Sequence, residues 1–319
     1  MDRRSFLHIT LAAPAIAALS GTAAFAQWEP RRPINLIVPY GAGGGTDSFA
    51  RALAAGAESA LSVPLVVVNR PGSSGITGAT EVAGARPDGT TFMMTSGGSF
   101  LLTYLLRDTD VNPFDSFVTV GQIGDLTTSL MVPTNSPYQT IDDLVADARA
   151  RPGEMRWNHT GRGSFHHIAG QGFMNAAGLN GVDVPFDGGG ATRAAVISGQ
   201  VDFGMIGIQQ AAGFESELRV LALISNTRDS IASEVPTFAE QGYDVPVISS
   251  PITLFAPLGM DAEIVSGMEA ALATITSQPE FAAAMLELGN TPAYLDGDAA
   301  RARLEQMRDA AAPIIAAIE

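Results

Sequence analysis

The sequence predicts an α/β chain of two domains, built from mainly parallel sheets flanked by helices. Short apolar runs alternate with helical segments along the chain, the pattern of a doubly wound architecture. A junction recurs in which an apolar strand ends in glycines and is followed by a helix-capping residue. The length, 319 residues, suits two cores. Strands are expected at 34–39, 65–69, 91–95, 117–123, 129–132, 155–158, 182–185, 203–206, 220–224 and 253–256, with helices between them. The final helix shows Leu304, Met307, Ala311, Ile314 and Ile318 three or four apart, one apolar stripe for packing on a sheet. No repeat, low-complexity tract or Pro/Ser linker interrupts the pattern, so the chain is expected to cross between domains through strands near 121–125 and 249–254. That places one domain at 27–124 plus 251–319 and the other, inserted, at 125–250.

The first 26 residues read as an export signal. Arg3 and Arg4 precede an apolar run from Ile9 to Leu19, and small residues surround Ala24-Phe25-Ala26, where cleavage is expected. The run is too short and too rich in alanine for a membrane span. Arg3-Arg4-Ser5-Phe6-Leu7 resembles a twin-arginine signal, which implies export after folding, although paired arginines also occur in ordinary secretory signals. With no cysteine there is neither a lipid-attachment site nor a disulfide, and a soluble periplasmic protein is expected.

Composition narrows the partners. Hydrophobic content of 46% against 16% charged residues describes a packed chain rather than a disordered one. The net charge of −15 argues against nucleic acid or an anionic membrane. It leaves a small anion possible, because surface charge is screened over about 8 to 10 Å whereas convergent amides act at hydrogen-bond range. All 18 basic residues are arginine, so Schiff-base chemistry and a lysine base are excluded.

The most informative stretch is 34–47, Ile-Asn-Leu-Ile-Val-Pro-Tyr-Gly-Ala-Gly-Gly-Gly-Thr-Asp. An apolar strand ends at Pro39, and Thr46 or Asp47 is placed to cap a helix beginning near Ser48. The amides of such a first turn, with the positive end of the helix dipole, favour a carboxylate or phosphate. The dinucleotide pattern G-x-G-x-x-G fails at Thr46, and the phosphate-loop pattern fails for want of lysine. The same design returns at 157–167 (Trp-Asn-His-Thr-Gly-Arg-Gly-Ser-Phe-His-His), where Ser164 can cap a helix running toward Ala177, at 184–192, and at Thr95-Ser96-Gly97-Gly98-Ser99. Such turns open at the carboxyl ends of their strands, where open α/β sheets bind ligands.

Apart from His8 in the leader, the histidines are His159, His166 and His167. Without cysteine, and with His166 and His167 on different sides of a helix, neither a metal nor any other cofactor is expected. His167 is expected to pack near the cap and His159 to face the cleft. The nucleophile elbow G-x-S-x-G is missing, yet a hydrolase using Ser164 or Ser96 with His167 remains an alternative. Arg162, inside the second glycine loop, is the better candidate for touching a ligand; Arg70 suits a salt bridge at least as well. Asp187 would oppose an anion unless it turns outward or the ligand also carries an amine or hydroxyl.

These pieces together resemble the Bug family, the periplasmic solute-binding proteins of tripartite tricarboxylate transporters. The resemblance rests on Arg32-Pro33-Ile34, Val38-Pro39-Tyr40 with Gly43-Gly44-Gly45-Thr46-Asp47, and Val68-Asn69-Arg70-Pro71-Gly72 with Gly75 and Gly78. It continues through Pro87-Asp88-Gly89, Gly161-x-Gly163-Ser164 with His167, Val184-Pro185-Phe186, Gly199-Gln200-Val201-Asp202 and Val235-Pro236-Thr237. It implies a two-lobed periplasmic binding protein of type II-like fold, its lobes joined by hinge strands and closing on a small organic acid that is passed to membrane permease subunits. A monomer and no catalysis are implied, with a ligand-loaded sensory partner of a membrane kinase as a further alternative. Carried over, Tyr40, Gly41, Ala42, Gly43, Gly44, Thr46 and Asp47 would hold a carboxylate from the first lobe, with Thr95 and Ser96 beside them. His159, Thr160, Arg162, Ser164, Phe186 and Asp187 would reach from the second lobe, and Asp202 matches a family position of less certain role. The chain departs from the family in His159, where a small hydroxyl residue is usual, in Arg162, and in Phe186-Asp187, where Tyr and a longer, often basic residue are frequent.

Overall fold

A computed structural model describes residues 28–186 and 188–318; the leader at 1–26 and Asp187 lie outside the described residues. Two sheets organise the chain. The first has strand order β11-β4-β10-β3-β1-β2, formed by β1 (Ile34–Val38), β2 (Leu65–Asn69), β3 (Thr91–Ser96), β4 (Phe117–Leu126), β10 (Ser250–Pro257) and β11 (Thr291–Asp296). The second has order β7-β6-β8-β5-β9, from β5 (Thr128–Pro133), β6 (Arg156–His159), β7 (Val182–Pro185), β8 (Phe203–Gly207) and β9 (Leu218–Ile224). The helices around the sheets are α1 (Gly45–Gly56), α2 (Ile76–Ala83), α3 (Gly97–Leu106), α4 (Ile141–Ala150), α5 (Phe165–Ala177), α6 (Gly188–Ile197), α7 (Ala262–Thr276), α8 (Pro279–Glu287) and α9 (Gly297–Ile318).

Each sheet is mixed, and the reason is the crossing between them. β1 pairs parallel with β2 and β3, and β6 pairs parallel with β7 and β8. The strands that receive the chain after each crossing run the other way: β10 is antiparallel to both β3 and β4, and β5 to both β8 and β9. β4 ends at Leu126 and β5 begins at Thr128, so a single residue separates the two sheets at the first crossing. β11 is the strand the sequence pattern missed. It is a broken edge strand whose register shifts between Pro292 and Leu295, and proline is tolerated at such an edge.

The cores follow the sheets. Phe100 meets the rings of Phe117 and Phe255 at 5.8 and 6.2 Å in the first, while Trp157 and Phe173 flank Phe203 in the second. The predicted stripe on α9 is buried through Leu304, Met307, Ala311 and Ile314, and α9 packs on β4, α3 and α5, touching both halves. α4 carries a full capping box, Thr140 accepting from the Asp143 amide while the Asp143 carboxylate accepts from the Thr140 amide.

The glycines of the 95–99 segment are not a loop. β3 runs directly into α3, and a Cβ at Gly98 would lie 2.2 Å from the Ser249 carbonyl oxygen on the returning crossing segment. Glycine there lets α3 sit against the chain that joins the two sheets. Gly98→Ala is expected to destabilise the protein by about 1–3 kcal/mol, the usual cost of overpacking. Gly190→Ala, where a Cβ meets nothing within 4 Å on α6, is expected to be neutral or slightly stabilising. Urea denaturation of both variants measures the contrast.

Candidate functional site

The first glycine loop delivers β1 into α1 as expected, but the helix starts earlier and is capped differently. α1 begins at Gly45 with Gly44 as N-cap, and no side chain among the described residues caps it. Its first-turn amides therefore have no intrahelical acceptor and stand at the positive end of the helix dipole. Asp47 is 2% exposed and serves the loop from beneath: its carboxylate accepts from the Gly43 amide at 2.8 Å, Arg51 Nε at 2.8 Å and Asn69 Nδ2 at 3.0 Å. Burial works to raise its pKa, but Arg51, Gly43 and Asn69 outweigh that and hold it below the usual carboxylate range. Tyr40 anchors the other end, its hydroxyl 3.1 Å from Thr95 Oγ1 and its pKa pushed by burial up to about 12.

Between the sheets lies a cleft of about 810 Å³. The first lobe lines it with Tyr40, Gly43, Gly44, Gly45, Ser74 and one face of α3 with the residue after it, Ser99, Thr103, Leu106 and Arg107. Leu126, at the end of β4, forms part of its wall, and the second lobe supplies residues 160–166, Gly189, Gly207, Gln209 and Gln210. Along the crossing strand the alternation of side chains sends Asp125 and Thr127 to a separate recess of about 660 Å³. Among the described residues the cleft lining contains two arginines, Arg107 and Arg162, and no carboxylate, in a chain of net charge −15. Ser74 on the rim holds φ +56, a left-handed conformation that costs of order 1 kcal/mol or more and clusters at ligand clamps. The lobes meet at one side, where a Cβ on Gly163 would come within 2.9 Å of Leu106 Cδ1; Gly163 also holds φ +76.

The second glycine loop joins β6 to α5, and Ser164 caps α5 as expected, its hydroxyl accepting from the His167 amide at 3.2 Å. Behind the loop sits a cluster of rings and charges. His159 Nε2 lies 3.2 Å and His167 Nε2 3.9 Å from Asp183 Oδ2, while Arg162 grips the same carboxylate at 3.0 and 3.2 Å. His159 is fully buried, so it lies behind the loop and not at the cleft surface. Burial lowers its pKa, against the opposing pull of Asp183, and lowers that of His167 to about 4. The histidine in the cleft wall is His166, overlooked by the sequence reading. Its Nδ1 lies 2.8 Å from Thr160 Oγ1, its buried Nε2 has no partner among the described residues, and burial drives its pKa to about 3.

The remaining expected site residues divide by position. Tyr40, Gly43, Gly44, Thr160, Arg162 and Ser164 are brought together in the cleft. Gly41 and Ala42 are exposed beside it, while Thr46, Thr95 and Ser96 are buried behind it, Ser96 Oγ bonding Ser99 Oγ and Ser250 Oγ. Phe186 packs into the second lobe's smaller apolar cluster. Asp202 accepts from the Arg156 amide at 2.7 Å, at the start of β6 and so at the opposite end of that strand from the cleft. Asp187 lies outside the described residues. Arg70 pairs with Glu81 at 3.0 Å. The missed α3 face had a legible signal, since Ser99, Thr103 and Leu106 fall four and three residues apart on one side of a helix.

Three potential metal-ligand atoms, on His159, His167 and Asp183, lie within 4.8 Å of one another. The proton positions oppose a metal. The Gly163 amide donates to His167 Nδ1 at 3.2 Å, which leaves the proton on Nε2, the nitrogen that would have to bind it. Arg162 already neutralises Asp183.

Residues 49–319 match the tripartite tricarboxylate transporter family receptor, TctC. The chain belongs to this family. It is 28% identical to a UPF0065 protein from the gbd 5' region of Cupriavidus necator, over 93% of this chain and 91% of the relative. It is 31% identical to BugT of Bordetella pertussis over 68% of each chain. Among solved structures, a TctC solute-binding protein from Polaromonas superposes with TM-score 0.80 at 27% identity, covering 90% of this chain and 98% of the other. An R. palustris protein solved with adipate superposes with TM-score 0.73 at 26% identity, over 89% and 96%. This TctC receptor is thus a two-lobed periplasmic solute-binding protein.

The buried imidazoles set its response to acid. An unfolded histidine takes a proton near pH 6.5, whereas folded His167 and His166 resist it down to about 4 and 3. The unfolded state therefore binds more protons between those values, and stability falls as pH drops from about 6.5 toward 4. Thermal melts between pH 7.5 and 4 should show this loss, and His166→Phe should flatten it.

Proposed function

We propose that this receptor captures a small organic carboxylate between its lobes and delivers it to the membrane permease of a tripartite tricarboxylate transporter. One observation carries the reading: the cleft gathers the uncapped amino end of α1 and two guanidinium groups, with no carboxylate among the described lining residues. Leu106, Leu126 and Phe165 add apolar wall suited to a short carbon chain. Adipate in the R. palustris structure has that character. A micromolar ligand needs about 8 kcal/mol. Hydrogen bonds to charged groups contribute about 1.5–3 kcal/mol each, so three or four in a formed cleft suffice.

The lobe division at 27–124 plus 251–319 and 125–250 is supported by the one-residue step between β4 and β5 and by the return through β10. Both walls come from one chain, which supports a monomer. Export through the Arg3-Arg4 leader, with cleavage near Ala26, is supported by the sequence pattern. Binding without turnover is supported by what the hydroxyls do. The nitrogens of His167 face the Gly163 amide and Asp183, so neither serves Ser164 Oγ as a base, and the Thr160–His166 pair joins a base of pKa about 3 to an Nε2 with no orienting acid among the described residues.

Adipate, or a related C4–C8 mono- or dicarboxylate, should raise the melting temperature by roughly 5 °C at a hundredfold excess over Kd. Arg107→Ala should weaken that acid about tenfold or more by calorimetry, the loss of one charge-assisted contact. A panel of such acids that leaves the melting temperature unmoved would refute carboxylate capture.

A further inference from the structure

The second glycine loop is held from behind at three consecutive residues. The Gly161 amide donates to His159 Nδ1 at 3.2 Å, the Arg162 guanidinium forks onto Asp183, and the Gly163 amide donates to His167 Nδ1 at 3.2 Å. One neutral tautomer serves both amides and the carboxylate; only the Gly161 carbonyl, 2.9 Å from His159 Nδ1, favours a proton on that nitrogen. With Nδ1 of each imidazole accepting a loop amide, each Nε2 carries the proton, and both Nε2 atoms face the same oxygen of Asp183. The rings support one another as well, with centroids 4.4 Å apart and Trp157 stacked on His167 at 6.0 Å. Gly161 and Gly163 hold φ +121 and +76, so the loop has no regular structure to fix it and relies on these bonds.

We propose that His159, His167 and Asp183 are positioning residues for ligand capture: they touch no ligand, and hold Thr160, Arg162 and Ser164 at the cleft through the backbone of Gly161 and Gly163. The proposal rests on the cleft being the ligand site. It also assigns two loop amides to the interior, so the second lobe offers its ligand hydroxyls and a guanidinium more than bare glycine amides. Asp183 keeps Arg162 over the loop while drawing on part of its charge, so of the two arginines in the described cleft lining it is Arg107, on the opposite wall, that has no ion pair among the described residues.

Protonation acts on the same atoms. His159 Nδ1 lies 2.9 Å from the Gly161 carbonyl oxygen as well, so a proton there bonds that carbonyl and costs the loop its Gly161 amide bond. A proton on His167 Nδ1 expels the Gly163 amide outright. The charged and titratable groups facing this pair are Asp183 from β7, Arg162 from the loop and His166 from α5. Burial and Arg162 keep the pair neutral, Asp183 favours the charge, and acid is expected to loosen the loop.

The test separates acceptor from donor. Asn places an oxygen near the Nδ1 position and can accept the amide; Gln places its amide near Nε2 and leaves the loop amide unpaired. In His159→Gln and His167→Gln, exchange of the Gly161 or Gly163 amide hydrogen should speed up at least tenfold and adipate affinity should fall at least tenfold. His159→Asn and His167→Asn should restore both to within about threefold and flatten the acid dependence of binding. Nitrogen-15 spectra of the wild type should show both rings as neutral Nε2–H tautomers at pH 7, a measurement that needs no variant to fold. Nδ1–H tautomers in the wild type, or equal amide exchange in the Asn and Gln variants, would overturn the anchorage whatever the ligand. Amide exchange that follows the variants while the wild type binds no acid would refute carboxylate capture and leave the anchorage standing.

Discussion

Backbone amides left unspent at the front of the cleft are the constraint on which the rest of the site depends. An α-helix cannot satisfy the donors of its own first turn, and α1 has no side-chain cap to do so. Asp47, a carboxylate within that first turn, is turned inward and consumed by Gly43, Arg51 and Asn69. Its burial beneath the loop keeps negative charge off the cleft surface while bracing the loop that forms it. A chain with an excess of acidic residues thereby presents a cavity with no carboxylate among its described lining residues, and screening confines the remaining surface charge to distances that a bound anion does not feel.

The two lobes solve the same problem with different chemistry. In the first, a carboxylate accepts from the loop amide; in the second, two neutral imidazoles do, with the Asp183 carboxylate behind them accepting from His159 Nε2 and facing His167 Nε2. Both are interior acceptors that order a glycine loop whose own backbone could not fix it. Imidazole makes the second arrangement sensitive to acid in a way the first is not, because a protonated Nδ1 can no longer accept. The mixed pairing of the sheets serves the same end. Strands that cross between lobes enter antiparallel, and the step from Leu126 to Thr128 puts the cleft and the recess lined by Asp125 and Thr127 on opposite faces of one short segment.

Much of the fold was legible. Ten strands lay where apolar runs are bounded by turn residues, because a buried strand needs a continuous hydrophobic stretch and announces it. The eleventh did not: Thr291–Asp296 contains Pro292 and alternates poorly, and it is a strand only because β4 offers it an edge. The glycines at 97 and 98 looked like another loop. They are helical, and their meaning is the approach of Ser249, a residue about 150 positions away. The site divides likewise. Gly43, Gly44, Thr160, Arg162 and Ser164 were readable as strand-to-helix junctions, whereas His159, expected at the cleft, lies behind the loop and His166, given no role, stands in the cleft wall. Spacing shows that neighbouring side chains point apart; it does not show which direction is the cleft.

The sequence by itself determined the alternation of elements, the glycine junctions that bring strands into helices and the family, since each is written in local pattern and order along the chain. Only the tertiary structure decided which amides remain free, which carboxylates are hidden and which histidine meets the cleft. Those outcomes depend on what packs behind each loop, and Asp183 beneath Gly161–Gly163 or Asn69 beneath Asp47 are neighbours that only folding brings into reach.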